Sequence, residues 1–143
     1  MASNRDKIKQ IISAANKKAF DKVKISPVSD SEAVLIKNRC GIDVRGYSHV
    51  IDSSGVIHAL KKHGNEKEEK SRGLIAINEN DFQKIPKIIK ARNIAYVGKN
   101  RLGKDCLLYV AKIGATMYYV TEIRTKNKEL CLNTFYKKKV AGS

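Results

Sequence analysis

The sequence predicts an α+β domain whose helices pack on one face of a twisted antiparallel sheet of four to five strands. Three observations carry this. Apolar residues near the N-terminus recur at helical spacing, the C-terminal part reads as successive strands, and the links between those strands are only a few residues long. Strands joined that tightly must pair antiparallel, because a parallel crossover needs a dozen residues or more.

Residues 4–24, NRDKIKQIISAANKKAFDKVK, set Ile8, Ile11, Ile12, Ala15, Ala19 and Phe20 on one side of a helix, with lysines on the other. ISPVSDSEA interrupts the pattern, and Ser31 or Asp30 is the candidate cap of a second short helix ending at Asn38. Residues 1–44 thus read as a helical lead-in or linker packed loosely on a domain of residues 45–143. YSHVID alternates as a strand does, and DSS offers oxygens to cap the helix GVIHALKKH, which Gly64 closes in a left-handed conformation. NEKEEKS reads as a solvated loop and GLIAI as a short strand. In NENDFQKIPKIIKAR, Asn78 or Asn80 is the cap, Phe82, Ile85, Ile88 and Ile89 form the buried stripe, and Pro86 either kinks the helix or starts its second half.

Four strands follow: IAYVGK, CLLYVAKI, TMYYVTEIR and ELCLNTFYKKK. Their connectors, NRLGKD, GA and TKNK, have turn composition. In the last strand Thr134 and Tyr136 share parity with Leu130 and Leu132, so plain alternation buries them. Only twist or a bulge would turn the end of that strand outward.

Composition narrows the partners. The 143 residues carry 29 Lys and Arg against 14 acidic residues, a net charge of +15. That excess points to a polyanion, and charge alone does not choose between DNA, RNA and an anionic membrane surface. No apolar run reaches the roughly 20 residues of a membrane span, and the N-terminus lacks the apolar stretch of a signal peptide. Cys40, Cys106 and Cys131 are odd in number and widely spaced, which favours reduced thiols over a disulfide framework or a zinc site.

The order GYSHVIDSSGVIHALKKHGN, then RGLIAINENDFQKIP, then TEIRTKNKELCLNTFYKKK resembles the phage-associated branch of the barnase, EndoU, colicin and RelE-like (BECR) ribonuclease toxins over Gly46 to Lys139. The resemblance implies a BECR-like fold and RNA cleavage without metal or cofactor, with transfer RNA a frequent substrate. It further implies an acidic cognate immunity protein, sometimes a translation-factor helper, and action in the cytoplasm of the producing or target bacterial cell. By position, the family's helix histidine falls on His58 or His63, and its last-strand Thr-x-Tyr on Thr134 and Tyr136. The glutamate base of barnase has no assignable counterpart.

Such a reaction needs a base for the 2′-hydroxyl proton, an acid for the leaving 5′-oxygen, and cations or N–H donors at the phosphate. Histidine suits either proton role, its ordinary pKa being about 6.5. His58 and Lys62 share a helix face, whereas His63 lies about 140° around an ideal helix from His58. Thr134 and Tyr136 offer hydroxyls to phosphate or a ring to a base. Lys62, Arg45, Arg124, Lys137 and Lys138 are the candidate RNA or phosphate contacts. His49 and Asp81 read as structural. Two rivals use the same charge without catalysis: a nucleic-acid-binding module, and an inactive phage structural accessory.

Overall fold

A computed structural model describes residues 3–140. Helix α1 (Asn4–Asn16) is capped by Ser3, whose Oγ accepts from the Asp6 N–H, and it buries Ile8, Ile11, Ile12 and Ala15. It stops well before residue 24. Lys18 takes a positive φ of 55°, Phe20 is 74% exposed, and the chain turns into strand β1 (Lys22–Pro27). Val23 and Ile25 point inward there while Lys22 and Lys24 point out, a two-residue alternation that a helical reading of the lysine-rich stretch hides.

Helix α2 (Asp30–Cys40) is capped by Ser29, one residue before the candidates, because Ser29 and Glu32 form a reciprocal capping box. Strand β2 (Ser48–Asp52) then leads into α3 (Ser53–His63), whose cap is Asp52; its carboxylate accepts from the Gly55 N–H at 2.7 Å. Gly64 ends α3 at φ −95°, not in the left-handed region. NEKEEKS is not a solvated loop: Glu66–Ser71 forms helix α4, and Glu69 in it is completely buried. GLIAI contributes a single bridge, Ile75 opposite Lys137. A 3-10 helix (Glu79–Lys84) capped by Asn78 follows, and Pro86 sits in the first turn of α5 (Ile85–Ile88), starting rather than kinking the second half.

Strands β3 (Ile94–Lys99), β4 (Asp105–Ile113), β5 (Thr116–Arg124) and β6 (Glu129–Lys139) form the expected meander. The sheet has six strands in the order β1-β2-β6-β5-β4-β3, more than the four or five expected. All neighbours are antiparallel except β2 and β6, which pair parallel through Ser48, His49 and Val50. The long stretch between those two strands permits that direction.

All of the larger helices lie on one face. Ile11, Ile36, Val56, Phe82 and Ile88 share a core with Leu107, Val120, Leu130 and Phe135. Ile8 and Ile36 are completely buried in it, so residues 4–44 are packed tightly where the sequence suggested a loose lead-in. Each fully buried side chain of this size contributes roughly 1.5–3 kcal/mol. Among the described residues, no helix is long and apolar enough to cross a membrane.

A polar insertion interrupts this core. His49 is completely buried, its Nδ1 lying 3.0 Å from Glu122 and its Nε2 2.7 Å from Glu32. Burial opposes the charged ring, but the charge and hydrogen bonds of Glu122, with those of Glu32, outweigh it and push the His49 pKa up to about 10.

Helix α3 packs very closely on β6 at Gly55. A Cβ there would sit 2.7 Å from the Leu132 carbonyl oxygen and 3.3 Å from the Asp52 carboxylate. Gly55→Ala is expected to cost about 1–3 kcal/mol, read as a lower urea midpoint at unchanged m-value.

Candidate active site

The face of the sheet turned away from the helices is made by a bulge. Thr121 pairs with Thr134 and Glu122 with Leu132, which leaves Asn133 unpaired. That extra residue shifts the alternation of β6 by one. Leu130, Leu132 and Phe135 are therefore all buried, while Thr134, Tyr136 and Lys138 emerge on the free face. Beside them stand Thr121 and Tyr119 of β5, then Leu108 and Val110 of β4, all partly exposed. The Thr134 N–H donates to Thr121 Oγ1 at 3.0 Å, and Thr134 Oγ1 is buried without a partner among the described residues.

Helix α3 borders this face because β2 pairs with β6 over only three residues before the chain turns into the helix. Gly55 lies against Leu132, and the His63 ring lies against Tyr136. Eight helical residues rise about 12 Å and four strand residues about 13 Å, so helix and strand run alongside one another. His58, exposed, faces a cavity of about 240 Å³ lined also by Asp52, Ile123, Cys131 and Asn133. Burial, with the Asp52 carboxylate adding to it, raises the Cys131 thiol pKa well above its ordinary value, so this sulfur is no nucleophile.

His63 is only 6% exposed, at the end of the helix. Its Nδ1 lies 2.9 Å from Glu69 Oε2, and Arg72 donates to Glu69 Oε1, also at 2.9 Å. The His63 ring packs 5.2 Å from the Tyr136 ring, which in turn stacks on Tyr119 at 4.7 Å and 8°. Lys138 Nζ lies 5.6 Å from the Tyr119 centroid. Burial, with a smaller effect from Tyr119, raises the Tyr136 pKa and keeps its hydroxyl protonated at neutral pH. The result is a free sheet surface with a stack of two tyrosines, two neighbouring threonines and histidines at two points along its border.

Of the residues singled out in the sequence, His58, His63, Thr134, Tyr136 and Lys138 border or line this face, and Lys62 is exposed on the adjoining helix. The others lie apart. Lys137 points to the opposite side of β6 and holds the buried Asp81 at 2.9 Å. Arg124 donates to the Tyr47 hydroxyl and pairs with Asp105. Arg45 pairs with Asp43 on an exposed loop. Glu69, Asn133, Thr121 and Tyr119 were not singled out. Glu69 was hidden in a charged run, and nothing in β6 announces which residue bulges. Among the described residues no group of three or more His, Cys, Asp or Glu side chains is arranged to hold a metal ion.

A family model described as phage-Barnase-EndoU-ColicinE5/D-RelE like nuclease 3 matches residues 26–142, from near the end of β1 onward. No curated protein and no solved structure matches the chain.

Proposed function

The chain belongs to the phage-Barnase-EndoU-ColicinE5/D-RelE like nuclease 3 family, and from that premise we propose that it is a toxin-type, metal-independent endoribonuclease working on the free sheet face. The observation that carries this reading is the placement of His63, held by the buried Glu69, against Tyr136 on the same border as His58. RNA is favoured over duplex DNA because stacked tyrosines beside a lysine suit unpaired bases. Transfer RNA is the first substrate to try, by family resemblance.

In the proposed reaction the 2′-oxygen loses its proton to an imidazole and bonds to phosphorus. The bond from phosphorus to the 5′-oxygen breaks, and that oxygen takes a proton from the acid. The products are a 2′,3′-cyclic phosphate and a 5′-hydroxyl. The Tyr136 hydroxyl is a donor for phosphate oxygens, and Lys138 and Lys62 supply the cationic field. An immunity protein with an acidic surface would cover this face, by charge complementarity. A translation-factor helper and action in the bacterial cytoplasm belong to the same reading.

Incubating the protein with total RNA in EDTA is expected to give discrete fragments ending in 2′,3′-cyclic phosphate. RNA binding that weakens steeply with salt, without any cutting, would instead identify a binding module.

A further inference from the structure

We propose that Glu69 is a positioning residue that fixes the tautomer of His63 and thereby makes His63 the base. The proposal rests on the endoribonuclease reading above. Glu69 is completely buried, although Glu66, Glu68 and the lysines around it are exposed. A buried carboxylate is costly unless both oxygens are satisfied. Here each oxygen has its own donor: Oε2 faces His63 Nδ1 and Oε1 accepts from Arg72.

The main chain holds both partners in place. The Ile77 N–H donates to the His63 carbonyl at 3.0 Å, the Leu74 N–H to that of Glu69 at 2.8 Å, and Arg72 Nη1 to that of Lys62 at 3.1 Å. The end of α3 and the whole of α4 are thereby clasped together. Such multiple anchoring exceeds what a solvated charge run needs.

A carboxylate can only accept, so His63 Nδ1 must carry the hydrogen. The neutral ring then has its lone pair on Nε2. That atom has no hydrogen-bond partner among the described residues, yet it is not sealed from solvent. It is the nitrogen available to a substrate lying against Tyr136. As the 2′-oxygen bonds to phosphorus, its proton passes to Nε2, and the resulting imidazolium is held by the Glu69 carboxylate. The 5′-oxygen takes its proton from exposed His58 through an intervening water, because α3 runs regularly to His63 and sets the two side chains about 140° apart around the helix.

Glu69→Gln makes a specific prediction because Arg72 stays. Arg72 can only donate, so the glutamine oxygen turns to it and the amide N–H faces His63 Nδ1. Nδ1 must then accept, and the ring hydrogen moves to Nε2. This is the wrong tautomer for a base.

Long-range proton–nitrogen NMR of the histidine ring reads this directly. Wild-type protein is expected to show Nδ1–H with a bare Nε2, and Glu69→Gln the reverse. The kcat for RNA cleavage should fall about a hundred- to ten-thousand-fold, with KM little changed. Arg72→Met, which leaves Glu69 free to accept, should keep the wild-type tautomer. That second variant keeps the proposal open to refutation if Glu69→Gln does not fold. An Nε2–H tautomer in wild type or in Arg72→Met overturns the proposal, and so does a reversed tautomer in Glu69→Gln with undiminished cleavage. If wild type cuts no RNA, the nuclease reading and the base role fail together, while the ring-nitrogen shifts still decide whether Glu69 sets the tautomer.

Discussion

His63→Ala is expected to lower RNA cleavage about a hundred- to ten-thousand-fold, the range for removing a positioned acid or base. His58→Ala should cost toward the lower end of that range. His58 is exposed and unclamped, so solvent can replace the proton it gives more easily than the proton His63 accepts. The double variant should lose less than the product of the two, because groups that act in one step are not additive. RNA affinity should survive in all three, since Tyr119, Tyr136 and Lys138 are untouched. Single-turnover cleavage and salt-dependent binding, measured on the same preparations, separate the two effects. Full cleavage by both single variants would remove the histidines from the mechanism.

The second large effect concerns stability. His49→Ala is expected to cost about 3–5 kcal/mol, because it leaves Glu32 and Glu122 facing one another in the core without the cation between them. The pH dependence follows from the raised pKa of about 10. A group whose pKa rises on folding stabilises fully below its unfolded value, here about 6.5, and loses that contribution as pH climbs toward 10. Glu32 runs the other way. Burial opposes its ionisation, but its hydrogen bond to His49 prevails and lowers its pKa, so its contribution fades as pH falls through the folded value. Urea unfolding between pH 6.5 and 10 should therefore show wild-type stability declining, with a flatter slope for His49→Gln. Parallel slopes would mean that His49 is not charged in the folded protein.

The meander of β3 to β6 was legible because its strand pattern and turn composition agree over four consecutive segments. The apolar stripe of Phe82, Ile85, Ile88 and Ile89 was legible from its three- and four-residue spacing. β1 was not, since KVKISP follows a lysine-rich helix without an intervening Gly or Pro, and the first of its inward residues, Val23, also continues the helical spacing from Ala19 and Phe20. The capping choice at Ser29 turned on Glu32 reaching back, which identity alone does not reveal. At the site, residue type marked out His58, His63, Thr134 and Tyr136. The buried carboxylate behind His63 depends on α4 folding back, and sequence spacing says nothing about that.

The unpaired Asn133 divides β6 into two sections that obey opposite rules. Up to Leu132 the even positions face the core; beyond Asn133 the odd positions do, and the even ones meet solvent. Substitutions can therefore vary the free face without touching the side chains that hold the sheet to its helices. Deleting the extra residue, Asn133, would remove the bulge and keep every other pairing with β5. It would leave Leu132 followed directly by Thr134, so that Phe135 still points inward and Thr134, Tyr136 and Lys138 still point outward. What the extra residue contributes is thus the local kink and added twist of β6, and not the choice of which side chains face the helices.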